Sequence, residues 1–300
     1  MAKKTYIGIA DKAEKVKKIY IGVDGVARKV KAAYIGVNGV AKKIFASGVA
    51  EMAITYTGKH TDKIVTMGDG LQYRLLTLTS SGTLTLEEAC NVDVWLCGGG
   101  KNGEVSTNKF AGGSGGDGGQ FYYRYGLSVL SAAVTVAARE GNSRFGNYTS
   151  LVIAGAKGGD GGEMSGNTYG GEASQESTQP FKDSYFTRYP CAGGGGGGFY
   201  STGTNRNPNC TGSDGGSSTG AGKNGEAEVR GSNKGGTGGI TGGGNGQSGG
   251  METDMTNASY YGSGGGGAGT HYNQTYFDST YGTPSYGYQG VVFVRIPLNQ

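Results

Sequence analysis

Side chains that do chemistry are few and scattered in this chain. There are two histidines, His60 and His271, far apart in sequence, and His60 sits in a polar turn, Gly58-Lys59-His60-Thr61. Histidine-assisted nucleophilic catalysis needs a base beside a nucleophile, and nothing in the sequence nominates either residue. A metal site asks for His, Cys or carboxylates clustered at short spacing, and no such cluster occurs. Gly220-Ala221-Gly222-Lys223 echoes a phosphate-binding loop, but the full pattern and a preceding strand are missing. Glu172 with Glu176, or Asp278, could supply the paired carboxylates of glycoside hydrolysis. In loops this polar they read first as solvated charges. The sequence implies no cofactor and is not read as an enzyme.

Tyrosine is the side chain that stands out. Residues 163–192, 199–214, 251–262 and 270–289 hold eleven tyrosines among Ser, Thr, Asn and Gly, from Tyr169 to Tyr288. This is the palette of adaptable binding loops, because tyrosine gives a large amphipathic contact at low entropy cost. Two clusters are densest. Tyr185, Phe186, Arg188 and Tyr189 form the first, beside Pro190; Tyr272, Tyr276, Phe277 and Tyr281 form the second. Stacked on a sugar ring, with Arg188 meeting a phosphate or carboxylate, they would make a ligand site. The competing reading is that they cap the glycine-rich segments and pack on each other.

Those segments must position the loops. Of 64 glycines, 51 fall between Gly98 and Gly269, with six in a row at 193–198. In GGSGGDGGQ the non-glycine residues Ser114, Asp117 and Gln120 are spaced by three. Three fits neither the 3.6 period of an α-helix nor the 2.0 of a strand; it fits an extended left-handed helix with three residues per turn. Glycine costs about 0.5–1 kcal/mol per residue in lost backbone freedom, and a Cα–H···O contact returns about 0.5–1 kcal/mol. A single such helix should not hold, whereas a bundle can. The run 193–198, about 19 Å long at the usual rise, belongs at its centre. Flexible low-complexity linkers are the alternative.

Apolar content is 35%, so the hydrophobic core must be small, and no stretch reaches the 18 apolar residues of a membrane span. The start, MAKKTYIGIADKAEKV, has no signal-peptide run. The expectation is synthesis in the cytoplasm without general secretory export. Residues 1–47 carry eleven Lys or Arg against three acidic residues, a balance of +8, and the remainder carries sixteen against twenty, or −4. Such a basic head could bind nucleic acid or an acidic protein; solvated hairpin faces are the simpler reading, and no nucleic-acid partner is expected. Cys90 and Cys97 lie too far apart along one strand to bridge. Cys191 and Cys210 could close a loop in an oxidising setting, with free thiols expected in the cytoplasm.

The first 47 residues repeat every fourteen: YIGIADKAEKVKKI, YIGVDGVARKVKAA and YIGVNGVAKKIFAS. Asp24-Gly25 and Asn38-Gly39 between alternating arms predict β-hairpins, joined into a meander. Further strands are predicted at 53–57, at 75–79 hairpinned to 83–86, and at 92–97, 121–123, 133–137, 150–154 and 291–296, with Trp95 in the core. The resulting expectation is an all-β protein. Residues 1–46 form β-hairpin repeats, and residues 47–300 form a β-sandwich-like glycine-rich domain with polyglycine II helices.

The order SSGTLTL, VDVWLCGGG, glycines, VTVAA, NSRFG, LVIAGAKGGDGG, glycines, GYQGVVFVRIP resembles the glycine-rich domain of bacteriophage and prophage tail-fibre proteins over roughly residues 71–296. The N-terminal repeats resemble segments of prophage tail proteins from Gram-positive bacteria. After the VTV strand the family's Val-Gly-Ala-Gly-Gly is here Ala137-Ala138-Arg139-Glu140-Gly141. The glycine-rich extracellular part of one class of receptor tyrosine kinase has a similar logic. The tail-fibre resemblance implies a receptor-binding protein of the virion tail. Its N-terminus would attach to tail or baseplate proteins, and its Tyr-rich loops would bind a bacterial surface glycan or protein. It also implies a homotrimer; no membrane insertion is expected, for want of an 18-residue apolar stretch. A purely structural baseplate or fibre component is the alternative, and an enzyme degrading surface polysaccharide a third reading.

Overall fold

The computed structural model describes residues 6–9, 12–15, 20–23, 26–30, 32–37, 40–46, 52–66, 71–161, 164–165, 168–169, 190–202, 209–210, 212–216, 227–228, 235–239, 242–249, 255–273, 276 and 278–298. Among them the protein is all-β, without a helix. Near the N-terminus β1 (Tyr6–Ile9) pairs antiparallel with β2 (Lys12–Lys15), β3 (Tyr20–Val23) with β4 (Val26–Lys29), and β5 (Ala32–Val37) with β6 (Val40–Ala46). The innermost partners are Ile9↔Lys12, Val23↔Val26 and Val37↔Val40, so two residues join the strands each time. The three pairs are separate two-stranded sheets, not the single meander expected from the repeat.

The main sheet contains β7 (Ile54–Tyr56), β8 (His60–Thr66), β9 (Gln72–Leu78), β10 (Gly82–Cys97), β11 (Phe121–Thr135), β12 (Arg144–Phe145) and β13 (Tyr148–Thr149). The remaining strands are β14 (Met164–Ser165), β15 (Thr168–Tyr169), β16 (Phe199–Thr202), β17 (Asn209–Cys210), β18 (Ala227–Glu228), β19 (Thr270–Asn273), β20 (Asp278–Tyr281) and β21 (Val291–Pro297). Strand β21 joins the main sheet, whose order is β13-β12-β11-β10-β21-β9-β8, with β7 also on β10. The expected 75–79/83–86 hairpin does not form, because β21 lies between β9 and β10. Its Val291-Val292-Phe293-Val294 is apolar on both faces, and only a central position buries both. Residues 121–123 and 133–137 fall largely in one long strand, β11, which passes Gly126 at φ +65. Of 150–154 only an isolated bridge remains, Phe121↔Ile153.

Alternation splits the sheet's side chains between two cores. Leu76, Val94, Leu96, Val292 and Val294 share one cluster with Leu84, Leu86, Val129, Val134 and Phe145. Strand β10 shifts register on β11 between Thr85 and Cys90 and again between Val92 and Val94. Bulges of this kind bend a strand, and its two halves line one core within a single eight-stranded sheet. At the second shift Asp93 accepts from Gly126 N–H (2.8 Å) and Arg295 Nε (3.0 Å), and Arg295 lies over Trp95 (4.8 Å). On the opposite face Leu75, Trp95, Cys97, Phe121, Val291 and Phe293 meet Ile153 and Cys191, where the glycine-rich region begins.

In that region the backbone bonds sideways. Gly193 and Gly196 N–H donate to the carbonyls of Gly216 and Ser213 (both 2.9 Å), Gly194 and Gly197 to Gly116 and Gly113 (2.9 and 2.7 Å), and Gly195 and Gly198 to Gly244 and Gln247 (2.9 and 2.8 Å). The carbonyls accept in the same rhythm. Those of Gly193 and Gly196 receive Gly239 and Gly236; Cys191 and Gly194 receive Ala156 and Gly159; Ala192, Gly195 and Gly198 receive Gly264, Gly267 and Thr270. Partners recur every third residue, and the run bonds to six segments: 212–216, 112–119, 242–249, 235–239, 155–160 and 262–270. It is buried from Pro190 to Gly198. A Cβ added at Gly193, Gly194, Gly195, Gly196 or Gly197 would sit well under 3.0 Å from the carbonyl oxygen of Lys157, Gly265, Gly236, Asp160 or Ala268 respectively. Close approach, not backbone dihedral, therefore requires glycine here.

Candidate functional site

The glycine-rich region has two unlike ends. At the first, Cys191 joins the sheet's core. At the second, residues 191–198 and 262–269, which run parallel, pass into β16 and β19, and these pair parallel with Phe199 opposite Thr270. Strands β17, β18 and β20 extend them to a sheet ordered β18-β17-β16-β19-β20. Residues 105–111, joining two glycine-rich segments, arrive at the same end: Ser279 Oγ donates to the Lys109 carbonyl (2.9 Å), and the Phe110 ring meets Tyr272 edge to face at 4.9 Å.

The second tyrosine cluster divides here. Tyr272 is 5% exposed, packed on Phe110, with Lys109 Nζ 5.9 Å from its ring centroid. Tyr276, beyond the last β19–β20 partners Asn273↔Asp278, is 77% exposed, and Tyr281, opposite Thr270, is 39% exposed. Phe277 lies outside the described residues, as does the whole first cluster, Tyr185, Phe186, Arg188 and Tyr189. Pro190 and Cys191, which follow that cluster, are at the sheet end. The second end therefore offers two exposed phenols on a short antiparallel pair, chemistry suited to stacking and hydrogen bonding.

Among the described residues the two histidines are not brought together. His60 is in the main sheet, edge-on to Tyr56 (5.5 Å), while His271 is in β19. Asp278 is exposed and its Oδ1 accepts from Ser279 N–H (2.7 Å); Glu172 and Glu176 lie outside the described residues. Among the described residues no group of three His, Cys, Asp or Glu could hold a metal ion, and no helix is long and apolar enough to cross a membrane. Cys90, Cys97 and Cys191 are free thiols. Burial first, and then the hydrogen bond and charge of Cys191, push the Cys97 thiol well above its ordinary range, which makes it a poor nucleophile.

A polar cleft of about 630 Å³ runs along the glycine-rich segments, lined by Lys101, Glu104, Asp117, Glu140, Asn142 and Lys157 among others. Asp117 accepts from Lys101 Nζ (2.9 Å), Lys157 Nζ (3.2 Å) and Gly158 N–H (3.1 Å). Burial would raise its carboxyl, but these hydrogen bonds and the Lys101 charge outweigh it and hold the group below its ordinary value. A carboxylate lowered by folding stabilises the protein above its unfolded-state pKa, and that contribution is lost as pH falls through the folded value. Asp117→Asn is therefore expected to melt lower near neutrality and to lose less melting temperature between about pH 6 and about pH 3. Thermal melts across that range check this; parallel curves for the two proteins would refute it.

Sequence reasoning missed one further feature. Arg139 drew notice only as one residue of the run Ala137-Ala138-Arg139-Glu140-Gly141 after the VTV strand, yet its guanidinium lies over the Tyr286 ring at 4.4 Å. No family model, curated protein or solved structure matches the chain.

Proposed function

We propose that the protein is a phage-type receptor-binding tail protein. Its glycine-rich region is a bundle of polyglycine II helices, a stiff carrier whose far end presents a binding surface. The observation that carries this reading is the run 191–198. Its amides and carbonyls bond to six surrounding segments with a period of three, and its two ends lead to a hydrophobic sheet and to exposed tyrosines. A linker would make no such contacts. The basic repeats of residues 1–46 attach the chain to tail or baseplate proteins, and the assembled form is a homotrimer in the virion tail. The ligand is a bacterial surface glycan or protein, met by Tyr276 and Tyr281, with Phe277 and the cluster Tyr185, Phe186, Arg188 and Tyr189 as further candidates. Burial of Tyr272 favours the structural alternative at that one residue.

Sedimentation of the full chain with purified cell walls tests this. Tyr276→Ala with Tyr281→Ala is expected to weaken binding at least tenfold, about 1.4 kcal/mol, at unchanged melting temperature. Tyr185→Ala with Tyr189→Ala examines the first cluster in the same way. Tyr272→Ala should instead destabilise by about 3 kcal/mol, as truncating a buried aromatic does. A full chain that binds no cell wall, yet is required for tail assembly, would make it a purely structural component. Released sugars would make it an enzyme.

A further inference from the structure

A second surface, on the flank of the glycine-rich region, has the make-up of a ligand site. An open groove of about 450 Å³ lies between the turn at Ala138 and Arg139 and the segments at Asn257 and Tyr286–Gln289. That volume is within the range of about 300–1,000 Å³ common for ligand sites. Arg139 is exposed, and among the described residues no carboxylate pairs with it; its guanidinium contact is the Tyr286 ring, at 4.4 Å. Tyr286 is 53% and Tyr288 38% exposed. Tyr288 is held from below: its ring meets Tyr261 at 5.8 Å, and Tyr261 meets the core residue Phe293 at 6.3 Å, both edge to face.

The polar atoms around these rings are fixed. Asn257 Oδ1 accepts from Tyr286 N–H (2.9 Å), which leaves its amide nitrogen as a donor; Gln289 Nε2 donates to the Thr79 carbonyl (3.1 Å), which leaves its oxygen as an acceptor. The turn itself is strained. Glu140 has φ +62, a conformation costly for a residue with a Cβ. It is held there by its N–H on the Gly100 carbonyl (3.2 Å) and by Asn102 N–H on its carboxylate (3.2 Å). Strain of this kind persists where the surroundings over-determine it, and it clusters at ligand sites. Here it keeps the Glu140 carboxylate on Asn102, and among the described residues no carboxylate neutralises the Arg139 charge on the ring.

We propose that this groove binds an anionic saccharide. The sugar ring stacks on the Tyr288 side, its hydroxyls meet Asn257 and Gln289, and its carboxylate or phosphate meets the Arg139 guanidinium, whose planar fork of donors suits either group. The proposal rests on the reading of the chain as a binder of bacterial surfaces, but it uses a different set of residues.

Calorimetric or NMR titration of the full chain with tetragalacturonate, glucose 6-phosphate and neutral maltotetraose tests it, the first two distinguishing a carboxylate from a phosphate ligand. At least one charged probe is expected to bind tenfold or more tightly than maltotetraose. Arg139→Gln should cut that affinity at least tenfold, and Tyr286→Ala should do the same, while Arg124→Gln, the same loss of charge at an exposed position outside the groove, leaves it unchanged. Arg139 is exposed, so Arg139→Gln carries the test even where Tyr286→Ala lowers stability. Equal affinity for charged and neutral probes, no binding of either charged probe, or full affinity in Arg139→Gln would overturn the groove. If the groove fails while cell-wall binding still depends on Tyr276 and Tyr281, the receptor-binding reading stands without it. If the groove takes a charged probe and the chain binds no cell wall, the reading fails and the groove stands.

Discussion

Replacing Gly195 by Val abolishes soluble folding in this account, and Gly196→Val does the same, whereas Ser114→Val leaves a protein that melts close to the parent. The Cβ at residue 195 meets the Gly236 carbonyl and that at 196 the Asp160 carbonyl, both well under 3.0 Å. Ordinary overpacking costs about 1–3 kcal/mol because side chains shift. Here the obstacles are backbone atoms of segments that are themselves tied to the run and its neighbours, with Gly236 N–H on the Gly196 carbonyl (2.7 Å) and Ser213 N–H on the Asp160 carbonyl (3.0 Å). Moving one segment disturbs the others, so the cost approaches the whole stability of a domain, about 5–15 kcal/mol. Ser114 already carries a Cβ and is only partly buried. Expression followed by thermal melting is the check, and equal tolerance at Gly195 and Ser114 would remove the bundle.

Deleting residues 1–46 should eliminate incorporation into particles while leaving folding and cell-wall binding intact. Strands β1 to β6 form two-stranded sheets of their own, separate from the main sheet, and the +8 balance of residues 1–47 ends where the repeats end. Proteolysis and melting of the truncated chain report on its fold, and particle assembly in its presence reports on attachment. A truncated chain that is degraded like an unfolded one places the boundary elsewhere; one that still enters particles moves attachment to residues 47–300. Light scattering on the full chain belongs beside these assays, since a monomer at every micromolar concentration would contradict the trimer.

The sequence exposed those parts of the fold that local pattern controls. The apolar runs at Val92–Cys97 and Val291–Ile296 announced buried strands, and the spacing of Ser114, Asp117 and Gln120 announced the period with which the backbone partners of 193–198 change. Pairing between distant strands leaves no local mark. Residues 75–79 and 83–86 flank a glycine turn and look like a hairpin, yet the strand that separates β9 from β10 comes from the end of the chain. The tyrosines show the same limit. Tyr272 and Tyr276 have similar neighbours in sequence, but Phe110 packs on the first, which is buried, while the second is exposed. Arg139 acquires its setting from Tyr286, which no motif links to it.

Hydrogen exchange at the amides of Gly193–Gly198 addresses the central claim most directly, because it asks whether the six glycines are a built element or a tether. Each of these amides donates to a carbonyl of another segment, at 2.7–2.9 Å, and amides bonded inside a core exchange only when that core opens. All six are predicted to be protected to the same degree as the amides of β10 and β21. Exchange of the six at the rate of an unstructured chain, with β10 and β21 still protected, would contradict the account.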